Sequence, residues 1–437
     1  MAGQVLRGEL SDEAGGAVEN DVEFTLRFGH SFRTYAERRP GAGVGSASMA
    51  PGPDPIVVVG AGIAGLAAAA ALQRRGYRVR VVESRPDPCS GAGISLWPNA
   101  LAALDRLGLG DQVRRSGGRV TAGALRWYDG SWIRRPDRDR LVRALGEPLV
   151  VIRRSRLQEV LVGALEPGTV QYGVTAAAPV RRGDGVELAV TGPGGAHRWA
   201  AAAVIGADGT RSVIARALNG PLPGRYTGHT AWRGVAETAI DPELSGETLG
   251  PGLQFGHTPL GPGQTYWFAA ERAPRGQRRP EGELTYLRRR LAGWADPVPA
   301  LLAATDPAAV LRHDLEDRAT APAWSAGPVV LIGDAAHPMR PHLGQGGAQA
   351  LEDAVILAAF VEGHRDLVAA FGAFARHRRR RVRRVVAEAA VIGRLVGLRP
   401  PALAAALVRA SAAVPEAVLT RHLAGIAARS AFELPGA

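Results

Sequence analysis

The sequence predicts an α/β protein in which a parallel-sheet domain is interleaved with an antiparallel-sheet domain and followed by a helical C-terminus. Three observations predict it. A short apolar run, Ile56-Val57-Val58-Val59, leads into a glycine-rich loop, a helical stretch and a second strand, which together make one βαβ unit. Strand-like segments rich in aromatic residues occupy 120–135 and 226–271. A further buried strand, Pro328 to Ile332, precedes a mostly helical stretch from Leu351 to about Arg394.

In chain order, residues 1–50 are rich in Gly, Ala and charge and weakly periodic. They read as a disordered extension or a misassigned start, because Met49 lies just before the first strand. Removing residues 1–48 is expected to leave folding and activity nearly unchanged. The first helix runs from about Ile63 to Arg75, with Gly76 where a C-terminal cap belongs. Tyr77 to Val82 is the next strand and ends at Glu83. Ala124 to Tyr128, His229 to Val235, Leu253 to His257 and Thr265 to Ala270 read as strands of a second, antiparallel layer. The first domain is then discontinuous, made of 54–119, 150–225 and 310–365; the second comprises 120–149 and 226–309, and 366–437 are C-terminal helices. The Ala/Leu-rich tail, broken at Pro400-Pro401, is expected to pack on the body rather than to lie on a membrane surface.

Composition narrows the chemistry. The chain has 437 residues, 46% hydrophobic and 22% charged, as in ordinary globular proteins. All 53 basic residues are arginine. The absence of lysine excludes Schiff-base catalysis, a Walker-type phosphate lysine and a lysine-dependent flavin halogenase. Much of the net charge of +12 sits in one run, His377 to Arg384, inside a late helical segment. No nucleic-acid motif accompanies it, so it reads as a solvated helix face. Cys89 is the only cysteine, which rules out an intramolecular disulfide and a Cys-rich metal site; it reads as a small buried residue. No apolar run reaches the ~18 residues a membrane span needs, and the N-terminus has no secretory h-region. A cytoplasmic location is the expectation, with no metal and no nucleic-acid partner.

Three motifs carry chemistry. The first is Gly60-x-Gly62-x-x-Gly65 with Glu83 at the end of the following strand. Glycines let the backbone turn and approach a pyrophosphate, whose charge sits at the helix N-terminus, and the acid can take a ribose hydroxyl. This marks a Rossmann-like dinucleotide site without choosing between NAD and FAD. The second is Gly206-Ala207-Asp208-Gly209, where Asp208 can cap a helix. The third runs from Gly333-Asp334 through Pro341-His342-Leu343-Gly344-Gln345-Gly346-Gly347-Ala348. An Asp at a strand end can bind a ribityl hydroxyl, and the glycine-rich loop feeds a helix N-terminus suited to negative charge.

On these motifs the chain resembles the group A flavin-dependent aromatic hydroxylases, the family of para-hydroxybenzoate hydroxylase and salicylate hydroxylase. The likeness runs from about Asp54 to Arg394 and includes Arg154-x-x-Leu157 and Gly91-Ala92-Gly93-Ile94-Ser95 before Trp97-Pro98-Asn99. Too few residues follow Arg394 for the thioredoxin-like domain of the larger members, so the match is to compact salicylate, hydroxynicotinate and urate hydroxylase-like and zeaxanthin epoxidase-like members. Ala348 replaces an Asn common in the family, and Gln254 falls where urate hydroxylases carry Arg, which argues against urate. The resemblance implies FAD held by Gly60, Gly62, Gly65, Glu83, Ser95, Arg154, Asp208, Asp334, Pro341 and the Gly344, Gln345, Gly346, Gly347 and Ala348 backbone.

The activity so implied is a monooxygenase that uses NAD(P)H and O2 and inserts one oxygen into an aromatic or heteroaromatic substrate through a C4a-hydroperoxyflavin. Epoxidation of an isoprenoid alkene, or a flavin-binding accessory protein without hydroxylation, are the alternatives. No second fingerprint is present, so the nicotinamide is expected to bind transiently. His342 and Tyr266 are the candidates for handling the substrate proton. His342 is either that group or a loop histidine bonded to backbone; Tyr266 is either that group or core packing. A rate that depends on pH near neutrality is expected if His342 titrates there. His337 is assigned to bracing the loop beside Asp334.

Overall fold

The structure, a computed structural model, describes residues 54–87, 91–364, 366–396, 398 and 401–434. The N-terminal prefix and Cys89 lie outside the described residues. A six-stranded sheet forms the centre, in the order β19 (Ser325–Ala326), β20 (Val329–Leu331), β13 (Ala203–Gly206), β1 (Ile56–Val59), β2 (Val79–Glu83) and β8 (Val170–Tyr172). All neighbours are parallel except β19, which pairs antiparallel with β20. β1 is buried along its whole length, as a run of Ile and Val covered on both faces must be.

Helix α1 (Ile63–Gln73) has almost no polar face; residues Ile63 to Leu72 are all buried. Its alanines allow close approach on both sides, to the sheet and to α9 (Gly346–Gly363). The close approach is strictest at Gly65, where a Cβ would lie 1.9 Å from the Gly60 carbonyl oxygen. Helices α2 (Pro98–Arg106), α3 (Gly110–Ser116) and α5 (Arg154–Val162) complete this core.

A seven-stranded sheet forms the second layer, in the order β18 (Leu311–Asp317), β14 (Arg225–Ala236), β17 (Gln264–Arg272), β16 (Leu253–Gly261), β15 (Gly246–Gly250), β5 (Ala124–Trp127) and β6 (Trp132–Arg134). It is antiparallel except where β15 runs parallel to β5. One face carries Trp232, Phe255 and Trp267 against α7 (Glu283–Arg290) and α8 (Val298–Ala303). Between the two large sheets lies a small one, β3 (Gly93–Leu96), β7 (Leu149–Arg153) and β4 (Gly118–Val120).

Two features differ from the sequence reading. A further sheet, not anticipated, joins β9 (Thr175–Ala176), β10 (Val180–Arg182), β11 (Gly185–Gly192) and β12 (Gly195–Ala201). The late helical stretch is divided, because α9 stops at Gly363 before α10 (Leu367–Val396) begins. Short helices α4 (Arg138–Leu145) and α6 (Val213–Asn219) and the C-terminal α11 (Pro401–Ala410) and α12 (Glu416–Ala427) complete the chain. Ala405 and Val408 of α11 pack beside Trp127 and Leu249 of the large sheet, and Ile426 of α12 packs with Leu145 and Val385. No described helix is long and apolar enough to cross a membrane.

The arginine run is corrected. Arg379, Arg380, Arg383 and Arg384 are exposed, but Arg378 is 1% exposed and Arg381 is largely covered. Helical spacing turns these two toward α9, where Glu352 and Asp353 are fully buried and require cations.

Candidate active site

The three motifs meet in one crevice at the carboxyl ends of the central strands, the position ligands take in open α/β sheets. β1 hands the chain to Gly60, whose φ of +107° and close approach to Ala207 admit only glycine. Gly62 caps α1, and a Cβ there would meet nothing within 4 Å, so the backbone faces open space. No side chain caps α1, so its first N–H groups are free for an anion. Glu83 closes the crevice at the end of β2. One of its oxygens accepts from Ala61 N at 2.9 Å and the other from Arg85 N at 3.0 Å. Burial acts to raise its pKa, but the Arg85 and Ala61 amides and the Arg85 guanidinium outweigh it and hold the carboxyl below the usual range. Gln158 Nε2 donates to Ala61 O at 3.1 Å and braces the loop.

β20 runs into a turn at Gly333–Ala335. Asp334 in this turn opens into the crevice and has no hydrogen-bond partner among the described residues. Burial by the crevice walls pushes its carboxyl up, against the fields of His337, Arg154 and Arg318. Arg318, which the sequence reading missed, donates to the Asp334 carbonyl at 2.9 Å and the Ala335 carbonyl at 2.6 Å, fixing the turn. Arg154 begins α5, runs along Gly91 and makes no ion pair among the described residues, so its charge is available to the crevice. Ser95 on β3 is part-buried. Asp208 is already occupied: it accepts from Ser212 Oγ, from Val213 N at 2.7 Å and from Ile214 N at 3.3 Å, and so supports the first turn of α6, whose N-cap is Ser212.

Beneath the Gly333 turn lies a buried polar network. Asp353 accepts from Gly333 N at 2.8 Å, contacts His337 Nε2 at 2.6 Å and accepts from Arg378 Nε at 2.7 Å. Glu352 accepts from Arg378 and Asn99, each at 2.7 Å, and from both Arg381 donors. Burial raises the Asp353 pKa, but His337 and Arg378 more than reverse it, to about 2. His337 therefore braces the turn as expected, although through Asp353 rather than Asp334. Gln345 is 1% exposed and its side chain points into this network, accepting from Asn99 at 3.0 Å. Only its backbone meets the crevice, as the N-cap of α9, which no side chain caps. Gly346 and Gly347 follow on the first turn; a Cβ on Gly347 would lie 2.8 Å from Ile94. Ala348 is fully buried, Pro341 is exposed and Gly344 has a φ of +60°.

The second large sheet turns its other face toward β3. Tyr266 lies on that face beneath β3, where a Cβ on Gly93 would come within 2.6 Å of its ring. It is 8% exposed, and burial raises its pKa while Arg233, bonded to its hydroxyl, opposes the shift. His342 packs against Gly393 of α10, with Nδ1 buried and unpartnered. Burial first, then Arg340 and His229, lower its pKa to about 4. That corrects the expectation of a neutral-pH titration: the imidazole stays uncharged through that range. An open cleft of about 410 Å³ bordered by Arg135, Asp137, Glu243 and Glu416 shares no residue with the motifs.

The crevice fits FAD: a glycine cradle facing open space, an unpaired ribityl-type carboxylate, and two helix N-termini without side-chain caps. Comparisons with known proteins agree. A family model described as FAD binding domain matches residues 54–389. Aurachin C monooxygenase/isomerase of Stigmatella aurantiaca is 36% identical over 344 residues, covering 78% of this chain and 89% of that protein. The 3-amino-4-hydroxybenzoate 2-monooxygenase of Streptomyces cremeus is 37% identical over 310 residues, covering 69% of this chain and 77% of that one. Among solved structures, Klebsiella pneumoniae HpxO complexed with FAD and uric acid superposes with a TM-score of 0.79 at 28% identity, covering 85% of this chain and 96% of that one. The chain is a flavoprotein of the FAD-binding-domain family. Within it, the chain belongs to the FAD-dependent monooxygenases, whose electron donor is typically NAD(P)H.

Proposed function

We propose that this monooxygenase hydroxylates a small aromatic or heteroaromatic ring in the cytoplasm, where reduced nicotinamide is supplied. The observation that carries the reading is the meeting of a cofactor crevice, with Asp334 unpaired, and a sheet wall bearing part-buried Phe268 and polar side chains. Bound FAD supplies electron transfer from NAD(P)H and the activation of O2.

The chain's own residues bind, orient and shield. Gly60, Gly62 and Gly65 and the α1 N-terminus take the pyrophosphate, and Glu83 takes the adenosine ribose. Asp334 takes a ribityl hydroxyl, and Arg154 a neighbouring phosphate or ribityl oxygen. Ser95, Pro341 and the backbone from Gly344 through Gln345, Gly346 and Gly347 to Ala348 line the ring system. Asp208 acts through the turn it supports. The first turn of α9 would favour negative charge on a flavin ring bound beside it. His342, neutral with a free nitrogen, accepts or relays the substrate proton, and Tyr266 holds Arg233 in place. Gln254, whose amide lies on the same wall, takes the place of an arginine and disfavours urate.

The test is flavin retention. Wild-type protein should purify yellow with one FAD per chain. Asp334→Ala should lose most of it while its far-UV circular dichroism stays unchanged. Wild-type-like flavin content in that variant would place the cofactor elsewhere.

A further inference from the structure

On the wall of the large sheet, four residues occupy one row across four neighbouring strands. Arg233 on β14 pairs with Phe268 on β17, Phe268 with Gly256 on β16, and Gly256 with Glu247 on β15. Alternation puts them on the face opposite Trp232, Phe255 and Trp267, hence on the face that carries Tyr266 and is turned to β3. Gly256 lets the Phe268 ring lean across the strand: a Cβ there would sit 2.0 Å from Phe268 Cε1. The result is a part-buried aromatic surface with a carboxylate at one end and a guanidinium at the other.

The two ends are in different states. Arg233 is held by the Tyr266 hydroxyl and lies 3.4 Å from His313 Nδ1, and it has no carboxylate partner among the described residues. Glu247 has neither an ion pair nor a hydrogen bond among the described residues, and burial alone acts on its carboxyl, pushing it up to about 7. A part-buried carboxyl with no protein partner is free to take a hydrogen-bond donor from a bound molecule. Nearby on the same face, Thr258 Oγ1 is also buried without a partner.

We propose that Glu247, Phe268 and Arg233 form the substrate-recognition row, selecting a flat two-ring heteroaromatic with an N–H donor at one end and an anionic oxygen at the other. The proposal rests on the hydroxylase reading and names its substrate class. Three strand spacings separate Arg233 from Glu247, about 14 Å between backbones. A fused two-ring system about 7 Å long with one hydrogen bond of about 2.9 Å at each end spans it. Phe268 supplies the stacking surface, and the two polar ends set the orientation.

The test is calorimetric affinity for four probes: indole-5-carboxylate, 1-methylindole-5-carboxylate, indole and naphthalene-2-carboxylate. Flavin content and melting temperature are recorded for each preparation. Wild-type protein should bind indole-5-carboxylate about 10- to 100-fold more tightly than its N-methyl and naphthalene counterparts, the usual range for a hydrogen bond to a charged group. Glu247→Met should erase that preference, Glu247→Gln should reduce it, and Arg233→Met should erase the preference over indole. Equal wild-type affinity for the N–H and N-methyl probes, no measurable binding of any probe, or a preference that survives in Glu247→Met overturns the proposal. Loss of flavin from wild-type protein counts instead against the cofactor reading, since the probe ratios do not depend on turnover.

Discussion

The cofactor crevice and the sheet wall solve opposite problems. In the crevice, recognition is given largely to backbone: glycine turns, two uncapped helix N-termini and the single free carboxylate of Asp334. Behind it, every charge is matched, from Asp353 with His337 and Arg378 to Glu352 with Arg378 and Arg381. On the wall the burden passes to side chains in the proposed reading: Glu247 and Gln254 stand part-buried beside the Phe268 ring, with no polar partner among the described residues. If the proposed roles hold, the difference teaches that cofactor binding depends on the fold staying rigid, whereas substrate choice rests on a few exchangeable side chains.

The largest effect should come from the matched side. Arg378→Met leaves Glu352 and Asp353 buried without their shared cation, and breaking such a pair typically costs about 3–5 kcal/mol. Denaturant unfolding should show that loss, with flavin released earlier because the Gly333 turn hangs on Asp353. Gln254→Leu on the wall should change stability by less than about 1 kcal/mol. Similar losses in the two variants would break the contrast.

The crevice was legible in the sequence because its ligand is met by backbone, and backbone demands leave glycines and acids at fixed spacing. Gly60, Gly62, Gly65 and Glu83 could be named from that spacing, and Asp334 from its place at a strand end and the family resemblance; all five border one crevice. The wall was not legible. Glu247 sits in an ordinary alternating strand, and nothing local says which of its neighbours will lie across three strands in register. Arg378 was misread for the same reason: its run of arginines is uniform in sequence, and only the placement of α9 decides which members are buried.

A smaller effect sharpens the comparison at the loop where the two regions meet. His342→Ala should keep FAD and still consume NAD(P)H, but lose coupled hydroxylation by about 10²-fold and release hydrogen peroxide. With its pKa lowered to about 4, His342 is neutral from pH 6 to 8, so its removal should leave the shape of the rate profile there unchanged. In stability the sign is definite. A histidine whose pKa falls on folding contributes fully above its unfolded value of about 6.5, and the contribution disappears as pH drops toward 4. Coupling equal to wild type would make His342 structural.

The central claim is oxygen transfer to a ring. Purified holoprotein should be incubated with NAD(P)H under ¹⁸O₂ and a panel of aromatic acids, phenols and N–H heteroaromatics, and the products weighed by mass spectrometry. The account predicts one product carrying a single ¹⁸O atom on its ring, formed only when NAD(P)H is present. A product whose oxygen comes from water, or NAD(P)H oxidation that no member of the panel stimulates, would contradict it.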